Sequence, residues 1–245
     1  MSPTTPASPT TPASPITIEA DHVGHAYGEG STRRVVLHDV TLRATERRIG
    51  VIGHNGSGKS TFLRMLNGLV LPTEGRILVD GLDTARSAKQ IRRQVGFLFT
   101  DPDNQIIMPT VAEDVAFGLR RSGLPRDEVA RRVDALLERF GLAGHRDHPA
   151  QLLSGGQKQL LALASVLVTE PRMIVMDEPT TLLDIRNANQ IGRIIDTVDA
   201  TVVLATHHLH LLRDFDRVLV FHGGTLVADG APGETVAHYE ALMGA

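Results

Sequence analysis

Apolar and polar positions alternate in two stretches, ITIEADHVGHAY (16–27) and VVLHDVTLRA (35–44), parted by the turn-rich GEGSTRR. A period of two marks half-buried strands, and the short connection pairs them. A third pattern, RRIGVIG (47–53), is a brief apolar strand that runs into glycines and then the helical sequence KSTFLRMLNGL (59–69). Two further apolar strands, MIVMDEP (173–179) and TVVLATHH (201–208), enclose another helical stretch. Strands alternating with helices build a mainly parallel sheet covered on both faces, so the expected class is α/β.

Between about 105 and 165 the period becomes helical. PRDEVARRVDALLERFG (125–141) sets Val129, Val133, Leu136, Leu137 and Phe140 on one face, with Pro125 near its start and Gly141 at its end. This segment is expected as a helical insert carried by the α/β core, with Arg120, Arg121, Arg126, Arg131 and Arg132 on a solvated face. The first fifteen residues repeat SPTTPA at 2–7 and 8–13 and hold five prolines and no aromatic residue. That composition predicts a disordered, unpacked tail, leaving 16–245 as the folded domain.

Composition excludes several classes. A net charge of −3 argues against a broadly nucleic-acid-binding surface, and the absence of cysteine removes thiolate chemistry. No apolar run reaches the eighteen or so residues that span a bilayer, and the N-terminus lacks the basic and apolar regions of a secretory signal. A cytoplasmic protein is expected, with any membrane role reached through a partner.

The candidate chemistry begins at GHNGSGKST (53–61), which follows a strand and opens a helix. That context makes it a P-loop: glycines let successive backbone N–H groups turn toward phosphate oxygens. Asn55, Gly56, Ser57, Gly58 and Thr61 belong to this cradle, Lys59 supplies charge to the β- and γ-phosphates, and Ser60 offers a hydroxyl to Mg²⁺. Asp177 ends an apolar strand, so its carboxylate emerges at the sheet edge where it can hold the Mg²⁺ shell. Glu178 beside it is placed to orient and deprotonate an attacking water. His207, at the end of the strand in LATHHLHLL, is placed to sense the γ-phosphate. Three histidines without a carboxylate on that turn give weak support to a metal site there.

A second glycine pair lies at LSGGQ (153–157), where Ser154, Gly155, Gly156 and Gln157 precede a long apolar helix. With the other motifs it resembles the nucleotide-binding subunits of ABC (ATP-binding cassette) transporters over nearly all of 16–245. The resemblance implies the ABC ATPase fold, ATP and Mg²⁺ as cofactors, Tyr27 stacked on adenine, and Asp184 at the end of a D-loop, PTTLLD. It also implies a homodimer formed on ATP binding, in which Ser154–Gln157 of one chain close on the ATP held by the P-loop of the other.

RMLNGLVLPTEG (64–75) and DPDNQIIMPTVAEDVAFGL (101–119) resemble more narrowly the ATPases of energy-coupling-factor (ECF) importers. Their compact length is similar to that of single-ATPase systems for biotin, cobalt or nickel, with biotin favoured on overall likeness. Such a chain works with a transmembrane coupling subunit and a membrane subunit that binds the substrate, at the cytoplasmic face of the cell membrane. A soluble ABC protein acting outside transport is the alternative from another class. Three positions depart from the family pattern: Thr100 stands where a glutamine usually completes the Mg²⁺ shell and, being shorter, is expected to reach the metal through an intervening water or not at all, Leu182 replaces a small D-loop residue, and Leu160 replaces an arginine. Gln105 matches a second family glutamine, expected in the groove for the partner's coupling helix.

Overall fold

The computed structural model describes residues 14–244, so the tail expected at 1–15 lies outside the described residues but for its last two. Two sheets organise the chain. The smaller is antiparallel, built from β1 (Ile18–Tyr27), β2 (Arg34–Ala44), β4 (Glu74–Val79) and the short β5 (Leu82–Asp83) in the order β2-β1-β4-β5. The larger has the order β10-β9-β3-β8-β7-β6, from β3 (Arg48–Ile52), β6 (Val95–Leu98), β7 (Met173–Asp177), β8 (Thr201–Ala205), β9 (Arg217–His222) and β10 (Thr225–Gly230). All its pairings are parallel except that of β10 with β9.

The central strands are buried on both faces and sort their side chains by alternation. Met173 and Val175 of β7 face a core shared with β1, β2 and helices α1 (Lys59–Met65) and α2 (Thr84–Ile91). Ile174 and Met176 face the opposite core, which holds helices α3 (Val111–Phe117), α4 (Arg126–Arg139), α5 (Gly155–Leu167) and α6 (Ile185–Asp196). A strand covered on both sides reads as an unbroken apolar run, which is the pattern of MIVM and TVVLA.

α1 stops earlier than its sequence predicts, at Met65 rather than Leu69. Gly68 takes a left-handed backbone (φ 68°), and the Leu69 N–H donates to the Arg64 carbonyl at 2.9 Å. That glycine termination outcompetes further helix. In the helical segment, Val133, Leu137 and Phe140 are buried, and Val129 and Leu136 pack against them. Arg120, Arg121, Arg126 and Arg131 are exposed as expected, but Arg132 is not simply solvated. Its guanidinium is half-buried between Glu128 at 2.7 Å and Glu170 at 3.0 Å, fixing α4 to the turn after α5.

β3, β8 and β7 are parallel neighbours, and Val51, Ala205 and Asp177 stand abreast at their ends. The loops that leave these strands therefore open on one edge of the sheet, the place where α/β proteins hold ligands.

Candidate active site

The loop after β3 is shaped by glycines at positions where a side chain would collide. Gly53 (φ 150°) lies against the Phe221 carbonyl oxygen, and a Cβ on Gly58 (φ 101°) would come within 2.6 Å of Leu37 Cδ2. The curled loop borders a cavity of about 390 Å³ lined by Tyr27, Arg34, Val36, Asn55 through Thr61, and Glu178. A larger cleft of about 480 Å³, between α6 and the turn at 209–212, holds none of the expected site residues.

Lys59 is buried, and its ammonium donates to the carbonyls of Gly53 at 2.6 Å and His54 at 3.1 Å. Burial lowers its pKa, against the pull of Glu178 and Asp177. The Ser60 hydroxyl donates to Asp177 Oδ1 at 2.8 Å. Asp177 is 2% exposed, and burial pushes its pKa up, opposed by the Ser60 hydrogen bond and by Arg64, 3.8 Å away.

Ser60 and Asp177 thus present hard oxygen donors at one point beside the cradle, and among the described residues the buried carboxylate has one close hydrogen-bond donor. Among the described residues, no group of three or more His, Cys, Asp or Glu forms a metal cage. Two oxygen ligands with room for phosphate and water fit Mg²⁺, which retains much of its hydration and shuns all-protein cages.

The raised Asp177 pKa carries a testable sign. The folded chain holds this proton more tightly than the unfolded chain, so stability falls as pH rises from the ordinary 3.8 through the raised value. Above that raised value the nucleotide-free protein bears the cost in full. Asp177→Asn is expected to raise its melting temperature above that pH while abolishing Mg²⁺-dependent hydrolysis. Calorimetry without nucleotide and an Mg²⁺ titration of ATPase activity check the two halves.

Glu178 follows with a left-handed backbone (φ 54°), a strained conformation for a side-chain-bearing residue. It is held there by its N–H, which donates to the Ala205 carbonyl at 3.0 Å, and by an 11% exposed side chain. Oε1 lies 2.7 Å from His207 Nε2 and 3.8 Å from Lys59 Nζ. His207 Nε2 also faces Asn55 Oδ1 at 3.2 Å. The structure therefore brings together Asn55, Lys59, Ser60, Asp177, Glu178 and His207 from the C-terminal ends of β3, β7 and β8 and the segments that follow them.

Tyr27 borders the same cavity, 43% exposed, with its hydroxyl 3.4 Å from Thr61 Oγ1. Sequence reasoning passed over His25, two residues earlier on the same strand face. Its ring is buried with both nitrogens unpartnered and stands edge-on to Tyr27, centroids 4.5 Å apart at 83°. Its offset of two from Tyr27 was the available signal. Arg34 and Val36, also in the cavity wall, offered none.

Ser154, Gly155, Gly156 and Gln157 begin α5 and line no part of the P-loop cavity of their own chain. Ser154 Oγ accepts from the Gln157 N–H at 3.4 Å, and Gln157 Oε1 accepts from the Ser154 N–H at 2.9 Å. This capping box leaves the Gly155 end exposed. Gly156 is different: a Cβ there would meet the Asn187 side chain at 2.5 Å. Asp184 likewise stays clear of the cavity and caps α6, accepting from the Asn187 N–H at 2.8 Å. Leu182 is 65% exposed, whereas Leu160 is buried.

Two glutamine-related positions are bonded within the chain. The Thr100 hydroxyl, expected at the metal, donates to the Asp177 backbone carbonyl at 2.7 Å, and Thr100 lines a separate cleft with Gly155 and Lys158. A side chain this short spends its hydrogen on the neighbouring strand end. Thr100→Val is expected to cost about 1 kcal/mol of stability with Mg²⁺ affinity unchanged. A thermal melt and an Mg²⁺ titration decide, since a ligand role would shift the second. Gln105, expected in a groove for the partner's coupling helix, also bonds within its own chain. It accepts from the Phe99 N–H at 3.2 Å and donates to the Ala162 carbonyl at 3.4 Å, bracing the exit of β6 against α5.

A phosphate cradle, a buried hydroxyl–carboxylate pair and a second carboxylate paired with histidine define a P-loop nucleotide hydrolase. The family model described as ABC transporter matches residues 37–181, and the chain belongs to that family. It is 54% identical to a putative ABC transporter ATP-binding protein of Deinococcus radiodurans, covering 92% of this chain and 98% of that one. It is 46% identical to the biotin transport ATP-binding protein BioM of Rhizobium etli, covering 93% and 99%. To the ECF transporter ATP-binding protein EcfA1 of Caldanaerobacter subterraneus it is 41% identical, covering 92% and 84%.

Among solved structures it resembles cbiO1 of Clostridium perfringens, described as part of the ABC transporter complex cbiONQ (TM-score 0.78, 32% identity, 93% of each chain). It also resembles a post-hydrolysis dimer of the cassette MJ0796 bound to ADP and phosphate (TM-score 0.80, 28% identity, 88% of this chain and 98% of that one). The chain is an ECF-type ABC ATPase.

Proposed function

We propose that this ATPase powers an ECF-type importer whose cargo is biotin. It acts as an ATP-bound homodimer on the cytoplasmic face of the cell membrane, through a transmembrane coupling subunit and a separate membrane subunit that binds the cargo. Residues 16–245 form its ATP-binding domain, with the helical subdomain at about 105–165. The observation that carries the reading is the meeting of Lys59, Ser60, Asp177, Glu178 and His207 at the P-loop cavity. The likeness to BioM over nearly the whole of both chains favours biotin over cobalt or nickel.

In this reading Lys59 leaves the loop carbonyls for the β- and γ-phosphates, and Tyr27 covers the adenine. Ser60 and Asp177 would hold Mg²⁺, which supplies charge neutralisation at the triphosphate. Glu178 takes a proton from the attacking water. His207, with its Nε2 already 2.7 Å from Glu178 Oε1, reports whether a γ-phosphate is present. Ser154, Gly155, Gly156 and Gln157 of the second chain cover the far side of the nucleotide, with Asp184 holding the D-loop between the two.

Reconstitution tests it. Membrane proteins that co-purify with the chain are inserted into liposomes with ATP, and uptake of labelled biotin, cobalt and nickel is compared. ATP-dependent biotin uptake supports the proposal. Uptake of a metal ion alone would reassign the cargo, and absence of any membrane partner would favour a soluble ABC ATPase.

A further inference from the structure

The two oxygens of Glu178 have different keepers. Oε1 belongs to His207 and Lys59, while Oε2 accepts the hydroxyl hydrogen of Thr181 at 2.8 Å. Thr181 is close for a local reason: its N–H donates to the Glu178 carbonyl at 3.3 Å, closing a tight turn through Pro179. The adjacent Thr180 is anchored separately, 3.0 Å from His208 Nδ1. The turn is therefore tied to the loop after β8, and the Thr181 hydroxyl is carried on a fixed support.

We propose that Thr181 is a positioning residue for the general base, holding the Glu178 carboxylate plane so that a free lone pair of the base meets the attacking water. The inference rests on Glu178 being that base. The terminal torsion of a glutamate is broad and nearly two-fold, so one donor leaves the plane free to swing. A hydroxyl donor on Oε2, with the nitrogens of His207 and Lys59 beside Oε1, removes that freedom. A hydrogen bond to an ionised group is among the stronger kind, and this one acts on the chemical step without touching the nucleotide.

The test compares Thr181→Val, which keeps the shape and removes the hydroxyl, with Thr181→Ser, which keeps the hydroxyl. Each is made alone and together with Glu178→Gln, and kcat, KM for ATP and melting temperature are measured. Thr181→Val is expected to lower kcat about tenfold with KM within about twofold, and Thr181→Ser to restore it, the scale of one charge-assisted bond lost from the transition state. In the Glu178→Gln background, Thr181→Val adds no further loss. Wild-type kcat in Thr181→Val, an equal loss in both backgrounds, or a serine variant as slow as the valine one would overturn the proposal. The two readings fail separately: wild-type hydrolysis by Glu178→Gln removes the base itself, whereas an inactive Glu178→Gln beside an unaffected Thr181→Val removes only the positioning role.

Discussion

Glu178→Gln is expected to bind ATP at least as tightly as the wild type and to hydrolyse it roughly 10²–10⁴-fold more slowly, the contribution of a positioned base. In barrier terms this is about 3–5 kcal/mol. The amide has the shape of the carboxylate but only one acceptor oxygen, so it can keep the bond from Thr181 while its NH2 takes the place of Oε1 beside His207, and the turn at 178–181 keeps its local support. It loses one negative charge from the wall of a cavity built for a triphosphate, which favours nucleotide binding. Lys59, 3.8 Å from Oε1, loses a competing carboxylate and turns more readily to phosphate. With hydrolysis blocked, ATP should hold two chains together long enough for a dimer to survive size-exclusion chromatography. Single-turnover kinetics and nucleotide titration measure the two sides, and unchanged turnover would take Glu178 out of the mechanism.

The parts of this site that sequence makes legible are those in which one short segment does the whole job. The P-loop is such a case, because its glycine spacing and the strand before it prescribe a backbone shape without help from elsewhere. The meeting of Glu178 with His207 is of another kind. It depends on β7 and β8 being parallel neighbours with Asp177 opposite Ala205, and a separation of 29 positions along the chain carries no such register. The strained backbone of Glu178 was also invisible, since a glutamate before a proline gives no cue for a positive φ. The bond that Thr100 makes was likewise unreadable, because its hydroxyl meets the Asp177 carbonyl only once β6 and β7 lie side by side. The fold divides in the same way. Alternation announced β1 and β2, and the helical period announced α4, but β9 and β10 are brief runs whose partners are set by tertiary packing.

Gly155→Asp is expected to leave the single chain as stable as before and to reduce hydrolysis about 10³-fold. Nothing lies within 4 Å of a Cβ built on Gly155, and the residue is the exposed first position of α5. A carboxylate there is welcome at a helix N-terminus, by a few tenths of a kcal/mol. If a second chain's triphosphate must approach the same spot, the new charge meets it at close range. Two like charges about 4 Å apart oppose each other by roughly 4 kcal/mol at the effective dielectric near a protein surface. Gly156→Ala makes the internal control, since its methyl group strikes Asn187 within the same chain and should lower the melting temperature without any partner. Mixing then decides who supplies the glycines. Lys59→Ala spoils the cradle and Gly155→Asp spoils the cover, each inactive alone. A heterodimer of the two keeps one intact cradle facing one intact cover, so an equal mixture should regain about a quarter of wild-type activity. A mixture no more active than its components would mean that each chain completes its own site, and the shared clamp would have to be abandoned.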